Sequence, residues 1–314
     1  PSPASTKAQE LKSITSDEDD ECEHDLQDDE DEYPHLFQSI RSPTGLEVGV
    51  SVTWPGTERI ELSTCLPSNE ISPLFSGTQW YVGFVLLGSC REQHSIANNR
   101  RILGYSSHSF RHRAGTRVWK AAIVALQYLL DEKGPLKERL EQTGSSYFSC
   151  LELGCGLGVP GMILSRFHPE ARIVLSDCDS LLSQLQHNLA QNFTDVSNNL
   201  TAATLDWAEE NDLMRLLQEC QLDSFELVLN CDCIFEPLYG DSWKALLKVQ
   251  IALLERKPDT IMLTSLERRK FDGVDQYLTS LREHPAVVKI DLVHQDDPVE
   301  IYRIYGLHNQ LRNT

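Results

Sequence analysis

Long apolar runs, paired metal-binding cysteines and positive charge are all scarce in this chain of 314 residues. No stretch of 18 or more apolar residues occurs, so the sequence offers no membrane-spanning helix. The nine cysteines include no Cys-x-x-Cys pair, which removes the commonest zinc and thioredoxin-type readings. They are scattered, several within apolar strand-like runs, and are expected to be free thiols in a reducing compartment. Lys and Arg total 28 against 47 Asp and Glu, giving a net charge of −19. Such a protein meets a phosphate backbone with the wrong electrostatic sign, so nucleic acid is not an expected partner. Cationic protein segments or small molecules are more natural ones. The N-terminus shows neither an apolar secretory core nor a basic amphipathic stretch, so the expected location is the cytoplasm, with the nucleus as a second compartment.

The charge that is present is unevenly placed. Residues 1–32 hold 13 acidic side chains against Lys7 and Lys12, so more than half of the net charge sits there. With few large apolar residues to offset the entropy of ordering, this segment reads as a disordered acidic tail. Residues 33–80 contain GLEVGVSVTW and RIELST around Pro55-Gly56, which reads as a β-hairpin within a small N-terminal β extension. Residues 81–113 have no sustained hydrophobic period and are locally basic; no fold is read for them.

From residue 114 to 314 the character changes. RVWKAAIVALQYLLDEK puts Val118, Ala122, Leu126 and Leu129 on one helical face, with Gly134-Pro135 as its stop. Apolar runs then appear at 147–153, 171–176, 200–205, 225–230 and 260–265, with helical segments expected at 157–168, 179–192, 208–220, 241–256 and 267–283. The polar stretch LERRK at 266–270 falls at the start of the last helix. Strands alternating with such helices imply right-handed crossovers and a mostly parallel sheet covered on both faces. Runs at 286–292 and 300–307 are too close for a crossover and imply an antiparallel C-terminal hairpin. The expected fold is therefore α/β, a doubly wound seven-stranded Rossmann-like sheet.

The strongest local signal is ELGCGLG at 152–158, between an expected strand and helix. Glycines there let backbone approach a ligand while helix N–H groups face it. Gly156, Gly158 and Gly161 also spell a dinucleotide fingerprint, which is weak alone. Asp177 ends the next strand, 19 residues after Gly158, where a carboxylate can accept both ribose hydroxyls of an adenosine-containing ligand. Capping of the following helix is the competing role. Trp207, in Asp206-Trp207 at the third strand's end, can flank an adenine ring, although core packing also accommodates it. Cys231 and Cys233 read as buried thiols rather than a metal pair.

Taken in order, these motifs resemble the seven-β-strand S-adenosylmethionine-dependent methyltransferases, in particular the protein-lysine methyltransferase branch with an Asp-x-x-Tyr motif. The resemblance spans about 114–307. It rests on GTRVW at 115–119, ELGCGLG at 152–158, Asp177 with Asn188 and Asn192 downstream, Asp206-Trp207, and DCIF at 232–235. It implies that Trp119, Glu152, Gly154, Gly156, Gly158, Asp177, Trp207 and the backbone near Cys231 bind S-adenosyl-L-methionine. It implies also that Asp232 and Phe235 stand beside the transferring methyl group. Two departures from the pattern stand out. Phe235 replaces the family's tyrosine, which puts lysine specificity in doubt and leaves arginine and small amines open as acceptors. Residues 81–113 separate segments that run nearly continuously in relatives and read as an insertion or as retained intronic sequence.

Methyl transfer to a neutral nitrogen needs positioning more than acid–base help. A lysine amine, with a solution pKa of about 10.4, must first lose a proton. Asp232 is accordingly expected to position the acceptor, and the function is read as methyl transfer to lysine of a protein substrate with a basic acceptor region. A nicotinamide-dependent oxidoreductase on the same glycine loop and a non-catalytic binding module are the alternatives. Substrate identity and oligomeric state are not readable.

Overall fold

The computed structural model describes residues 36–41, 47–63, 117–193 and 199–307. The acidic tail and the stretch 81–113 lie outside the described residues. Seven strands form the main sheet: β4 (Ser149–Leu153), β5 (Arg172–Asp177), β6 (Leu200–Thr204), β7 (Leu227–Cys231), β8 (Ile261–Glu267), β9 (Val287–Asp296) and β10 (Val299–Gly306). Their order is β6-β5-β4-β7-β8-β10-β9. The first five run parallel, and β10 pairs antiparallel with both β8 and β9. This is the doubly wound sheet with a C-terminal hairpin that the alternation predicts. The hairpin strands are longer than expected, because β9 runs on through the polar residues His294 to Asp296 and only Asp297-Pro298 turns the chain.

Each crossover helix covers one face of the sheet. α1 (Lys120–Leu130), α3 (Val159–Phe167) and α4 (Asp179–Asn192) pack on one side. α5 (Asp212–Glu219), α7 (Trp243–Arg256) and α8 (Val274–Glu283) pack on the other. A strand buried on both faces is apolar except where its polar groups find partners; β4 is buried at all five positions, and its two polar residues, Ser149 and Glu152, are hydrogen-bonded. At roughly 25 cal/mol per Å² of apolar area, these two cores are the main source of stability.

Two further helices differ from the sequence reading. Gly134-Pro135 ends α1 but also opens α2 (Pro135–Thr143), with proline in the first turn, where its missing N–H costs nothing. α6 (Glu236–Tyr239) is a single turn that follows the DCIF motif. The last helix starts at Val274 rather than 267, because β8 continues to Glu267 and residues 268–273 form a loop. LERRK is therefore a strand end and a loop, not a helix start.

The N-terminal segments make a three-stranded antiparallel sheet of β1 (Phe37–Arg41), β2 (Glu47–Val52) and β3 (Ile60–Ser63). The expected hairpin is β2–β3, pairing Val52 with Ile60. Its buried Val50, Val52, Ile60 and Leu62 join the core beneath α4. Gln184, Asn188 and Asn192 recur every fourth residue, so they share one face of α4. That face satisfies the free edge of β3. Glu61 N donates to Asn192 Oδ1 at 2.7 Å, and Asn192 Nδ2 donates to Glu61 O at 2.6 Å. Ser63 N donates to Asn188 Oδ1 at 2.9 Å, and Gln184 Nε2 to Ser63 O at 2.6 Å. Asn188 and Asn192 thus dock the N-terminal sheet onto the main domain.

In this order, β4 leads to β5 on one side and β7 lies on the other. A crevice therefore opens at the carboxyl ends of β4 and β7, where the winding direction changes.

Candidate active site

A cavity of about 1030 Å³ occupies that crevice, large enough for a cofactor with part of a second molecule. Every site residue expected from the sequence except Phe235 lines it. The glycine loop forms its floor. Gly154 has φ +61, and a Cβ there would lie 2.7 Å from Cys233 Sγ and 3.0 Å from the Trp207 ring. No side chain fits without displacing both neighbours. Gly158 has φ +75 and caps α3, turning the chain from loop into helix. Between them, Cys155 N donates to Ser176 O at 3.0 Å and Gly156 N to Asp177 Oδ2 at 2.8 Å. The loop after β4 is therefore fastened to the end of β5.

Asp177 does not cap α4, whose N-cap is Cys178 without a side-chain hydrogen bond. Its second oxygen accepts from Cys178 N at 2.7 Å, and the carboxylate stays half-buried at the cavity wall. Glu152, one residue from the end of β4, is 2 % exposed and accepts from Gly161 N at 2.8 Å. Burial pushes its carboxyl up to about 8; the Gly161 N–H opposes this, and the charge of Asp177 adds to it. Around neutral pH Glu152 is thus largely a neutral acid that steadies the first turn of α3. Burial also pushes the thiols of Cys155, Cys231 and Cys233 well up, so none is a thiolate. Among the described residues no group of three metal-binding side chains is present.

Whether these residues suit an adenosine-containing cofactor can be judged from the cavity. Trp207 presents an indole whose Nε1 is buried with no hydrogen-bond partner among the described residues. Against it lies Gly154 of the glycine-rich loop, and the cavity also holds a carboxylate, Asp177, at the ribose distance along the sequence. An aromatic plate, a backbone cradle and a hydroxyl acceptor are what an adenosine ligand requires, and the residues fit.

The opposite wall is built from Trp119, the N-cap of α1, and from Asp232, directly after β7. Asp232 adopts φ +55, so the chain leaves the strand abruptly there. Its carboxylate meets Arg269, a residue missed by the sequence reading because its stretch looked like a solvated helix start. Arg269 Nη1 donates to Asp232 Oδ1 at 3.0 Å and Nη2 to Oδ2 at 2.8 Å. Nη2 also donates to Glu267 Oε2 at 2.6 Å. The guanidinium lies 5.4 Å from the Trp119 ring centre and 5.1 Å from that of Phe235. The signal that could have found it is a pair of arginines, Arg268 and Arg269, just beyond an apolar strand, at the sheet end where such folds place ligands. Phe235 is buried against Arg269 and does not line the cavity.

A doubly wound seven-stranded sheet with a cofactor-shaped glycine crevice at its switch point is the arrangement of S-adenosylmethionine-dependent methyltransferases. The model of a family described as lysine methyltransferase matches residues 105–284, more than half of the sequence, and the chain belongs to that family. S-adenosyl-L-methionine is accordingly its cofactor, and the nicotinamide alternative is set aside. A curated relative, secreted RxLR effector protein 48 of Plasmopara viticola, is 29% identical over 181 residues, covering 54% of this chain and 90% of that protein. Solved structures with a similar fold include the human methyltransferase 10 domain containing protein, at 11% identity and a TM-score of 0.42 over 60% of this chain and 83% of that one. The METTL16 methyltransferase domain matches at 11% identity and a TM-score of 0.44, over 65% and 81%. Among the described residues no helix is long and apolar enough to cross a membrane.

Proposed function

We propose that the chain methylates a lysine side chain of a protein substrate whose acceptor region is basic. The observation that carries this reading is the meeting, in one cavity, of the glycine loop and Asp177 with an aromatic and carboxylate wall at Trp119 and Asp232. Membership of the lysine methyltransferase family supports it. When bound, S-adenosyl-L-methionine supplies an electrophilic methyl group. Gly154, Gly156 and Gly158 leave room for it, Asp177 accepts its hydroxyls, Trp207 flanks its ring, and the Cys231 backbone and Glu152 close the floor. The acceptor arrives as a cation, and the net negative charge of the cluster of Asp232, Glu267 and Arg269 attracts it. Desolvation inside the cavity then favours loss of its proton, and the neutral nitrogen is held in line for transfer.

The test is incubation of the full chain with radiolabelled S-adenosylmethionine and a whole-cell lysate, followed by identification of the labelled residue. Label in N-methyl-lysine of protein is the expected result. Label confined to arginine or small amines would overturn the lysine assignment. Gly156→Arg, which fills the cradle, should abolish both labelling and cofactor binding.

A further inference from the structure

Asp232 alone does not complete an acceptor site. Its carboxylate already accepts two N–H groups from Arg269 and one from Glu267 N, at 3.1 Å. A carboxylate has about four acceptor positions, so little of its capacity remains for an incoming amine. The aromatic at the end of the same motif, Phe235, has no hydroxyl and is turned onto Arg269. Among the described residues, the phenol that lines the cavity is that of Tyr239.

The local backbone explains the exchange. α6 is one turn long, with Pro237 in it, and Tyr239 N donates to Phe235 O at 2.8 Å. Tyr239 therefore sits one helical turn beyond Phe235. Gly240, with φ +61, ends the turn, its N–H donating to Glu236 O. The first aromatic thus packs under the wall and the second lines the cavity beside Asp232. Burial, with the charges of Asp232 and Asp177, holds the Tyr239 phenol well above its usual range despite Arg269. It remains protonated at neutral pH, and its neutral hydroxyl can accept one hydrogen bond while donating another.

We propose that Tyr239 contacts the methyl acceptor, its hydroxyl oxygen accepting an N–H of the lysine amine so that the nitrogen lone pair faces the cofactor half of the cavity. This rests on the lysine reading above. The ammonium first releases a proton to solvent. The lone pair then forms the new N–C bond while the methyl–sulfur bond breaks, its electron pair staying on sulfur. Tyr239 orients the amine and takes no proton. It thereby replaces the hydroxyl that position 235 lacks.

The experiment compares wild type with Tyr239→Phe as full chains. It measures radiolabel transfer to lysate protein, binding of S-adenosylhomocysteine by calorimetry, and melting temperature. The expected result is a fall in kcat of about 10- to 100-fold, as for a small misplacement of the acceptor. Cofactor-product affinity should change less than about threefold, as expected for a contact on the acceptor side alone, and melting should not move. The kcat–pH profile should keep its shape and lose height, because no base has been removed. Adding Phe235→Tyr to this variant should not restore activity, since that ring faces Arg269. Activity within about twofold of wild type would overturn the proposal. So would a loss of affinity for S-adenosylhomocysteine matching the loss of rate. Wild-type label found on arginine instead of lysine would overturn the lysine reading alone, and the same ratio of rates would then decide Tyr239. No transfer at all by a wild type that binds the cofactor product would overturn both.

Discussion

Arg269→Met keeps much of the stem volume and removes a charge that the acceptor wall depends on. The Arg269 and Asp232 side chains are 3 % and 2 % exposed, and their fork of two hydrogen bonds is supplemented by Glu267. After the substitution, Asp232 and Glu267 lose the guanidinium that joins them, and of the three N–H groups on Asp232 only that of Glu267 remains. Removing one partner of a buried ion pair costs about 3–5 kcal/mol, because the other charge is stranded. Asp232→Asn should cost less, about 1–3 kcal/mol, since Arg269 keeps Glu267 and the faces of Trp119 and Phe235. The double variant should be more stable than the sum of the two losses implies, by about 2 kcal/mol. Urea denaturation of all four proteins measures this. With a slope of about 2–3 kcal/mol per molar, the midpoint of Arg269→Met should fall by about 1–2 M. A loss below about 0.5 kcal/mol, or strict additivity, would mean that water reaches Asp232, and the reasoning about a closed, pre-neutralised wall would fail.

Glu152→Gln should remove a pH dependence of stability. The folded carboxyl stands near 8 and the unfolded one near 4.5, so between those values the unfolded state releases a proton that the folded state keeps, and stability falls as pH rises. Melting curves from pH 5 to 8 should slope downward in wild type and flatten in the variant, which should be the more stable of the two at pH 8; parallel curves would refute the assignment. Asn192→Ala removes two hydrogen bonds to Glu61, each contributing about 1 kcal/mol, so amide exchange in β3 should speed about 10-fold or more while β4 keeps its protection. Unchanged exchange at Glu61 would show that apolar packing alone docks the N-terminal sheet.

The cofactor half of the site was legible because its determinants are local. The loop 154–158 and Asp177 belong to adjacent β–α units, and glycines between a strand and a helix signal the positive-φ turn found at Gly154 and Gly158 without any knowledge of distant contacts. The acceptor half was not. Asp232 and Arg269 are separated by 37 positions, and no periodicity links them. LERRK looked helical because nothing local shows that β8 continues to Glu267 or that Phe271 and Gly273, both at positive φ, bend the chain before α8. α5 likewise starts at Asp212 rather than 208, since Asp206 Oδ1 accepts from Ala208 N and holds a turn there. Phe235 packs on the Arg269 of that long-range pair, so a motif read as four residues could not reveal that Tyr239, and not Phe235, lines the cavity.

Asp232 shows how the two halves are joined. A left-handed backbone at a non-glycine residue costs about 1–2 kcal/mol, although aspartate tolerates it better than most. Here the conformation is over-determined. Asp232 N donates to Ser265 O at 2.8 Å, and Oδ1 accepts from Glu267 N at 3.1 Å, so the residue is pinned to β8 at both its backbone and its side chain. The bend sends Cys233 back across the crevice, where its thiol donates to Leu153 O at 3.4 Å and sits over Gly154. A straight continuation of β7 would carry that side chain away from the glycine loop. The bend at Asp232 and the missing side chain at Gly154 are therefore one feature: the acceptor wall can close on the cofactor floor only where a glycine leaves room for the returning chain. A larger residue at Gly154 should consequently disturb Asp232 as well as the cofactor cradle.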